Sequence, residues 1–206
     1  MPLQNAPRLL RRSELPESAA ELARFLIGKT LVRELTRGGK LRRIAARIVE
    51  TEAYEPDDAA AHSFIGQTAR NRSLFLERGH AYVYFCYGMH YMLNISAEAK
   101  GVGAGVLFRA AEPIEGVEWM RGFRVKENPA KIASGPGRLA RAMRVQRALD
   151  GIDLTRLGEL WLGTALRPVG AVGTSVRIGI TKEAHRPLRF YERGNASVSG
   201  PKRLNA

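Results

Sequence analysis

Ala81-Tyr82-Val83-Tyr84-Phe85-Cys86-Tyr87-Gly88-Met89-His90-Tyr91-Met92-Leu93-Asn94-Ile95-Ser96 is the stretch from which the fold can be read. Two runs rich in aromatic and apolar residues meet at Gly88, so the segment predicts a β-hairpin with Tyr87 at its tip. Upstream, Val49-Glu50-Thr51-Glu52-Ala53-Tyr54 is a second β-like run, and the two-residue repeat of a strand puts Glu50 and Glu52 on one face. Residues 31–35 and 44–49 flank Gly38-Gly39 and predict another hairpin. Its second strand runs straight into the two acids, which places them at the end of a rigid element.

Around these strands the sequence is less regular. Residues 55–79 show little periodicity, which is long for a passive connection and predicts a functional loop. Helices are expected at 18–26, where Ala19, Leu22, Ala23 and Leu26 have helical spacing, and at 116–125 and 137–149. The last of these follows Ser134-Gly135-Pro136, carries Arg138, Arg141 and Arg144 along one side, and begins as a phosphate site would. Further strands are expected at 106–111, 176–180 and 188–191. The glycines at 101, 103 and 105 do not match a dinucleotide fingerprint, since position 106 is valine. Residues 1–12 read as a flexible basic arm and 195–206 as a frayed tail. Together these features predict one compact α+β domain over residues 1–206. It has a mainly antiparallel curved β-sheet, flanking helices, long loops and a protruding hairpin.

With 206 residues the chain can bury a substantial core without disulfides or metals. The 33 Lys and Arg against 20 Asp and Glu give a net charge of +13, which favours a polyanionic partner such as nucleic acid. Residues 116–147 alone hold eight Lys or Arg and two acids. Cys86 is the single cysteine, so an intrachain disulfide and a zinc-thiolate cluster are excluded and a reducing compartment is expected. Arg8, Arg11 and Arg12 are followed by Glu14 and Glu17 instead of a signal core, and no segment has the ~20 apolar residues of a membrane helix. A soluble, cytoplasmic protein with no membrane contact is expected. Histidines 62, 80, 90 and 185 do not pair at metal-ligand spacing, so no metal and no cofactor are expected.

By itself Glu52 fits an ion pair or an exposed position better than a catalyst. Arg109 is more informative, because an arginine inside Val106-Leu107-Phe108 needs a carboxylate, a phosphate or water as partner. Tyr54, His62, Tyr82, Tyr84, Tyr87 and Tyr91 fall within 38 positions and fit either a sheet core and rim or a stacking pocket for a planar base. Two other readings stay open: a nuclease with Glu50, Glu52, Asp57, Asp58 and His62 as metal ligands, and a non-catalytic RNA-binding domain.

Arg47-Ile48-Val49-Glu50-Thr51-Glu52-Ala53-Tyr54, Asp58-Ala59-Ala60-Ala61-His62-Ser63 and Gln67-Thr68-Ala69-Arg70-Asn71-Arg72 resemble the alkyladenine (3-methyladenine) DNA glycosylase family. So do Tyr82-Val83-Tyr84-Phe85-Cys86-Tyr87-Gly88-Met89, Asn94-Ile95-Ser96, Leu107-Phe108-Arg109-Ala110-Ala111-Glu112-Pro113, Ser134-Gly135-Pro136 and Arg186-Pro187-Leu188-Arg189-Phe190-Tyr191. The resemblance spans about residues 20–194, with the blocks in the family's order. It implies a monofunctional enzyme, monomeric and without an obligate protein partner. Such an enzyme flips damaged purines from double-stranded DNA and hydrolyses the glycosidic bond.

On that resemblance Glu52 is the general base, and Arg109 and the backbone carbonyl of Ile178 hold the attacking water. Tyr54, His62 and Tyr84 enclose the flipped base, Asn94 stands against guanine's exocyclic amine, and Tyr87 enters the gap in the duplex. Arg70, Arg72, Ser134, Gly135, Arg138 and Arg141 meet the DNA backbone. Arg138 departs from the lysine expected there, and the 54–62 loop is one residue shorter than in vertebrate members.

Overall fold

The computed structural model describes residues 6–86, 88–122 and 126–205. The sheet is built around β2 (Lys40–Tyr54), which is long enough to serve several partners in turn. Its first half pairs antiparallel with β1 (Thr30–Arg37) across Gly38-Gly39, where φ is 57° and 71° and a side chain would be strained. Further along the same edge, where β1 has ended, Glu50, Thr51 and Glu52 pair with β8 (Arg189–Glu192). The other edge carries β5 (Gly105–Glu115). The aromatic hairpin of β3 (Ala81–Cys86) and β4 (His90–Ser96) joins the sheet through β4 and β5. β6 (Leu160–Gly163) closes on β1, and β7 (Val172–Ser175) on β8. Among the described residues all of these pairings are antiparallel, in one curved eight-stranded sheet.

One face of the sheet is covered by helices. α1 (Ala19–Leu26) is too short to be stable alone, and is held by its apolar stripe of Ala19, Leu22, Ala23 and Leu26, all fully buried. Each leucine contributes about 1.5–3 kcal/mol on leaving water. Thr51 Oγ1 donates to Ala23 O at 2.8 Å and so ties α1 to the C-terminal part of β2. α3 (Pro136–Ala142) buries Leu139, Ala140 and Ala142 against the same core, and α2 (Val117–Arg121) adds Met120. No helix among the described residues is long and apolar enough to cross a membrane.

Several expected boundaries move. α3 stops at Ala142, and the chain turns at Arg144 with φ of 54° before a short 3-10 turn at Arg147–Leu149. α2 ends at Arg121 and is capped by Gly122, also at positive φ, and residues 123–125 of the expected helix lie outside the described residues. The strand expected at 176–180 lies earlier, at β7, because Arg177 turns inward to buried acceptors and Gly179 takes a φ of 80°. β6 is too short and too uniformly apolar to show a strand period.

Neither end behaves as loose chain where it is described. Leu10 is buried, its N–H donates to Leu162 O at 2.9 Å, and Arg12 pairs with Asp153 at 2.6 Å, so residues 6–12 cover the open edge of β6. The tail is likewise not frayed. Arg189 is fully buried and needs acceptors, which residues 199–205 supply: Leu204 O at 2.9 Å, Asn205 Oδ1 at 2.6 Å and Ser199 O at 3.2 Å. The Ser199 N–H meanwhile donates to Glu50 Oε2 at 2.7 Å.

Deleting residues 197–206 strands these buried groups, each worth about 1–3 kcal/mol. We expect the melting temperature to fall by roughly 10 °C or more. A thermal melt matching the full chain would show that the tail contributes little.

Candidate active site

Two interruptions of the β2–β5 ladder aim the polar side chains. Ile48 faces Ala111 and Glu50 faces Ala110, so Val49 is an extra residue on β2; Thr51 then faces Phe108, which makes Arg109 an extra residue on β5. Such bulges shift which face a side chain takes. Ile48, Ala53, Phe108 and Ala111 pack in the main core, whereas Val49 and Ala110 sit in a separate cluster with Tyr191 and Val198. Without the first bulge Glu50 would follow Ile48 into the apolar core.

On the face opened in this way Arg109 stands between the two glutamates. Its Nε donates to Glu50 Oε1 at 2.9 Å, and its Nη1 lies 3.1 Å from Glu52 Oε2. Both glutamates are fully buried. Glu50 also accepts from Arg189 Nε at 2.7 Å and from the Ser199 N–H. Burial pushes the Glu50 carboxyl up, but Arg109 and Arg189 outweigh it and hold the group below the usual carboxylate range. For Glu52 burial wins. Its carboxyl is raised although Arg109, the Ile178 N–H at 2.7 Å and the Tyr54 hydroxyl at 3.1 Å all favour the charged form. Arg109 Nη1 also reaches the Ile178 carbonyl at 3.5 Å, a long contact that leaves both groups able to bind another partner.

The residues that grip Glu52 form the floor of a cavity of about 420 Å³, lined by Tyr54, Arg109 and Ile178 together with His62, Tyr84 and Asn94. The sequence-based base-binding set therefore converges. His62 and Tyr84 meet edge-on with ring centroids 4.5 Å apart, and Tyr82 stacks behind Tyr84 at 5.4 Å. Burial and the neighbouring Arg70 lower the His62 pKa, so the ring is neutral at pH 7. Asn94 Nδ2 donates to Tyr82 O at 3.2 Å, which fixes the amide at the wall. Arg70 borders the cavity with its guanidinium 6.0 Å from the Tyr84 ring, and exposed Arg72 follows on the same loop.

The remaining backbone-contact set is more dispersed. Ser134 and Gly135 lead into α3, but the Ser134 hydroxyl donates to Val198 O at 3.4 Å and Arg138 pairs with Glu127 at 3.2 Å. Arg141 is exposed. Tyr87 lies outside the described residues. The five candidate metal ligands do not assemble: Glu50 faces two arginines, Asp58 faces Arg177, and Asp57 turns outward to Arg186.

The sequence reading missed a further buried cation that braces the cavity. Arg177 and Asp58 form a fully buried pair, in which Arg177 Nη2 donates to Asp58 Oδ1 at 3.1 Å and Arg177 Nη1 donates to Oδ2. Arg177 also donates to Ala53 O at 2.9 Å and lies 4.6 Å from the centroid of the Tyr54 ring. Asp58 in turn accepts from the Ala60 N–H at 2.9 Å, shaping the turn that leads to His62. One ion pair thus joins the His62 loop, the Tyr54 ring and the segment bearing Ile178. The available signal was the one that exposed Arg109, an arginine inside an apolar run, here Val176-Arg177-Ile178.

Asp58→Asn should keep the turn but leave Arg177 unbalanced, a loss of about 3–5 kcal/mol. Adding Arg177→Met should restore much of it. Urea denaturation of the single and double variants checks this, and equal stabilities would refute a coupled pair.

The profile of the methylpurine-DNA glycosylase (MPG) family matches residues 13–196. A protein of Mesorhizobium japonicum is 57% identical over 95% of this chain and 92% of its own length. One of Paraburkholderia phytofirmans is 49% identical over 95% and 90%, and one of Methanocella arvoryzae 46% identical over 93% and 96%. All three carry a provisional 3-methyladenine DNA glycosylase name. The chain belongs to the methylpurine-DNA glycosylase family of hydrolases.

Proposed function

We propose that the protein is a monofunctional DNA glycosylase that extrudes alkylated or deaminated purines from duplex DNA and hydrolyses the bond to deoxyribose, leaving an abasic site. It acts as a monomer without a cofactor. The observation that carries this reading is the position of Glu52, buried beneath an aromatic cavity and gripped by Arg109, Tyr54 and Ile178.

Glycosidic cleavage passes through a cation-like sugar, which a carboxylate at the cavity floor stabilises while it takes a proton from the attacking water. Arg109 and the Ile178 carbonyl retain hydrogen-bonding capacity to orient that water. Glu50 holds Arg109 from behind, so Arg109 is aimed before substrate arrives. Tyr54, His62 and Tyr84 stack on the base. Cations already lie against Tyr54 and Tyr84, so stacking outweighs cation–π attraction. Asn94 excludes a purine with a 2-amino group. The matched motifs contain no lysine to form an imine, so no strand cleavage follows. Tyr87 fills the space vacated in the duplex.

Glu52→Gln removes proton acceptance while preserving shape, and base release should fall at least ~10²-fold. The measurement is single-turnover release from methylated duplex DNA in EDTA; a variant within a few-fold of wild type would sink the assignment. The general base must be ionised, so wild-type activity should rise with pH. The acid limb should lie above the ordinary glutamate value, in the direction of the Glu52 shift. A carboxyl raised in the fold is stabilising when protonated and costs stability once pH exceeds its folded value. Glu52→Gln should therefore melt a few degrees higher than wild type at pH 7, the gap closing as pH falls.

Asn94→Ala should raise excision of guanine-type relative to adenine-type bases several-fold, about the scale of losing one excluded contact. Chromatography of the released bases reads this ratio, and an unchanged ratio would leave Asn94 with its bond to Tyr82 O alone.

A further inference from the structure

The cavity rim carries an exposed apolar tip that the chemistry above does not use. Ser63 O accepts from the Gly66 N–H at 2.9 Å, so Ser63, Phe64, Ile65 and Gly66 form a tight turn with Phe64 and Ile65 at its centre. Turn centres normally hold Pro, Gly, Asn, Asp or Ser, and a β-branched isoleucine there breaks the local rule. Both side chains face solvent, Phe64 at 52% and Ile65 at 80% relative exposure. The turn does not depend on them. Buried Asn71 pins it at both ends, donating from Nδ2 to His62 O at 2.8 Å and to Gly66 O at 2.9 Å, while its Oδ1 accepts from the Thr68 N–H at 2.6 Å.

A rigid mount that exposes two large apolar side chains is built for contact. Its neighbours identify the partner. His62 and Ser63, which precede the tip, line the cavity, and Arg70 and Arg72 stand on the same loop. A strand that delivers a nucleotide into the cavity therefore comes close to this turn. Apolar groups gain nothing from phosphates, but sugars and base edges offer them surface.

We propose that Phe64 and Ile65 form an apolar prong that lies in the groove of the duplex beside the extruded nucleotide, against sugars and base edges. The neighbouring Arg70 takes the phosphates. The proposal rests on the glycosylase reading for its substrate, but the contact with DNA can be tested separately.

The variant is Phe64→Ser with Ile65→Ser, which leaves the Asn71 bonds in place. Anisotropy with a short undamaged duplex across a salt series should show binding weakened by about 5–10-fold at every salt, as lost apolar burial predicts. The slope of log affinity against log salt should not change, whereas Arg70→Ala should reduce it by about one. Base release from methylated DNA should fall ~10-fold on duplex and less than ~2-fold on the heat-denatured strand. Duplex binding equal to wild type would overturn the proposal, as would a slope that falls as it does for Arg70→Ala. A wild-type dimer that the double substitution dissociates would also overturn it, because the tip would then cover a second copy of the chain. Wild type that binds duplex but releases no base counts against the glycosylase reading, and the anisotropy result still decides the prong.

Discussion

Two buried glutamates share one arginine, and much of the molecule is arranged to make that tolerable. A carboxylate removed from water costs several kcal/mol unless cations and hydrogen bonds replace the solvent. Glu50 receives Arg109, Arg189 and the Ser199 N–H, and its charge is held. Glu52 receives Arg109, the Ile178 N–H and the Tyr54 hydroxyl, and burial still prevails over them. The difference separates the two groups, and the proposed roles follow it. Glu50 is a fixed anchor, while Glu52 keeps an unmet demand for a proton at the cavity floor, which suits a base.

That demand spreads outward through the chain. Arg189 needs its own acceptors, and residues 199–205 are folded onto the sheet to provide them. The Asp58–Arg177 pair does the same on the other side, linking the His62 turn and the Tyr54 ring to the segment that supplies Ile178. The cavity walls are therefore bound by charges buried beneath them, and the geometry exists before any ligand enters. A network in which each member satisfies another is intolerant of single losses.

The same cations change how the aromatic box works. Arg177 lies against Tyr54 and Arg70 near Tyr84, so the rings do not offer an undisturbed electron-rich surface to a charged base. On the proposed function, shape and stacking area then do more of the selection than charge.

Local pattern and motif were enough for much of this. The hairpin over residues 81–96, the acids at the end of β2 and α1 with its apolar stripe follow from periods of two and 3.6 residues, which the backbone imposes on any sequence. The motif blocks, in order, named the residues that converge on the cavity, and the lone Arg109 announced a buried partner. Other features depended on contacts between segments far apart in the chain. The extra residues at Val49 and Arg109 are invisible to a period count, because a bulge exists only relative to its partner strand. Polar composition made the tail look loose, yet it is ordered by an arginine ten residues or more upstream. Arg177 and Asp58 are 119 positions apart, and although Arg177 stands in an apolar run, nothing local says that Asp58 is its partner. What the sequence by itself determined is the family, the antiparallel hairpins and α1, and which polar residues to look for around one cavity. Only the tertiary structure decided which charges are buried together, since the cost of burying one is set by partners that arrive from elsewhere in the fold.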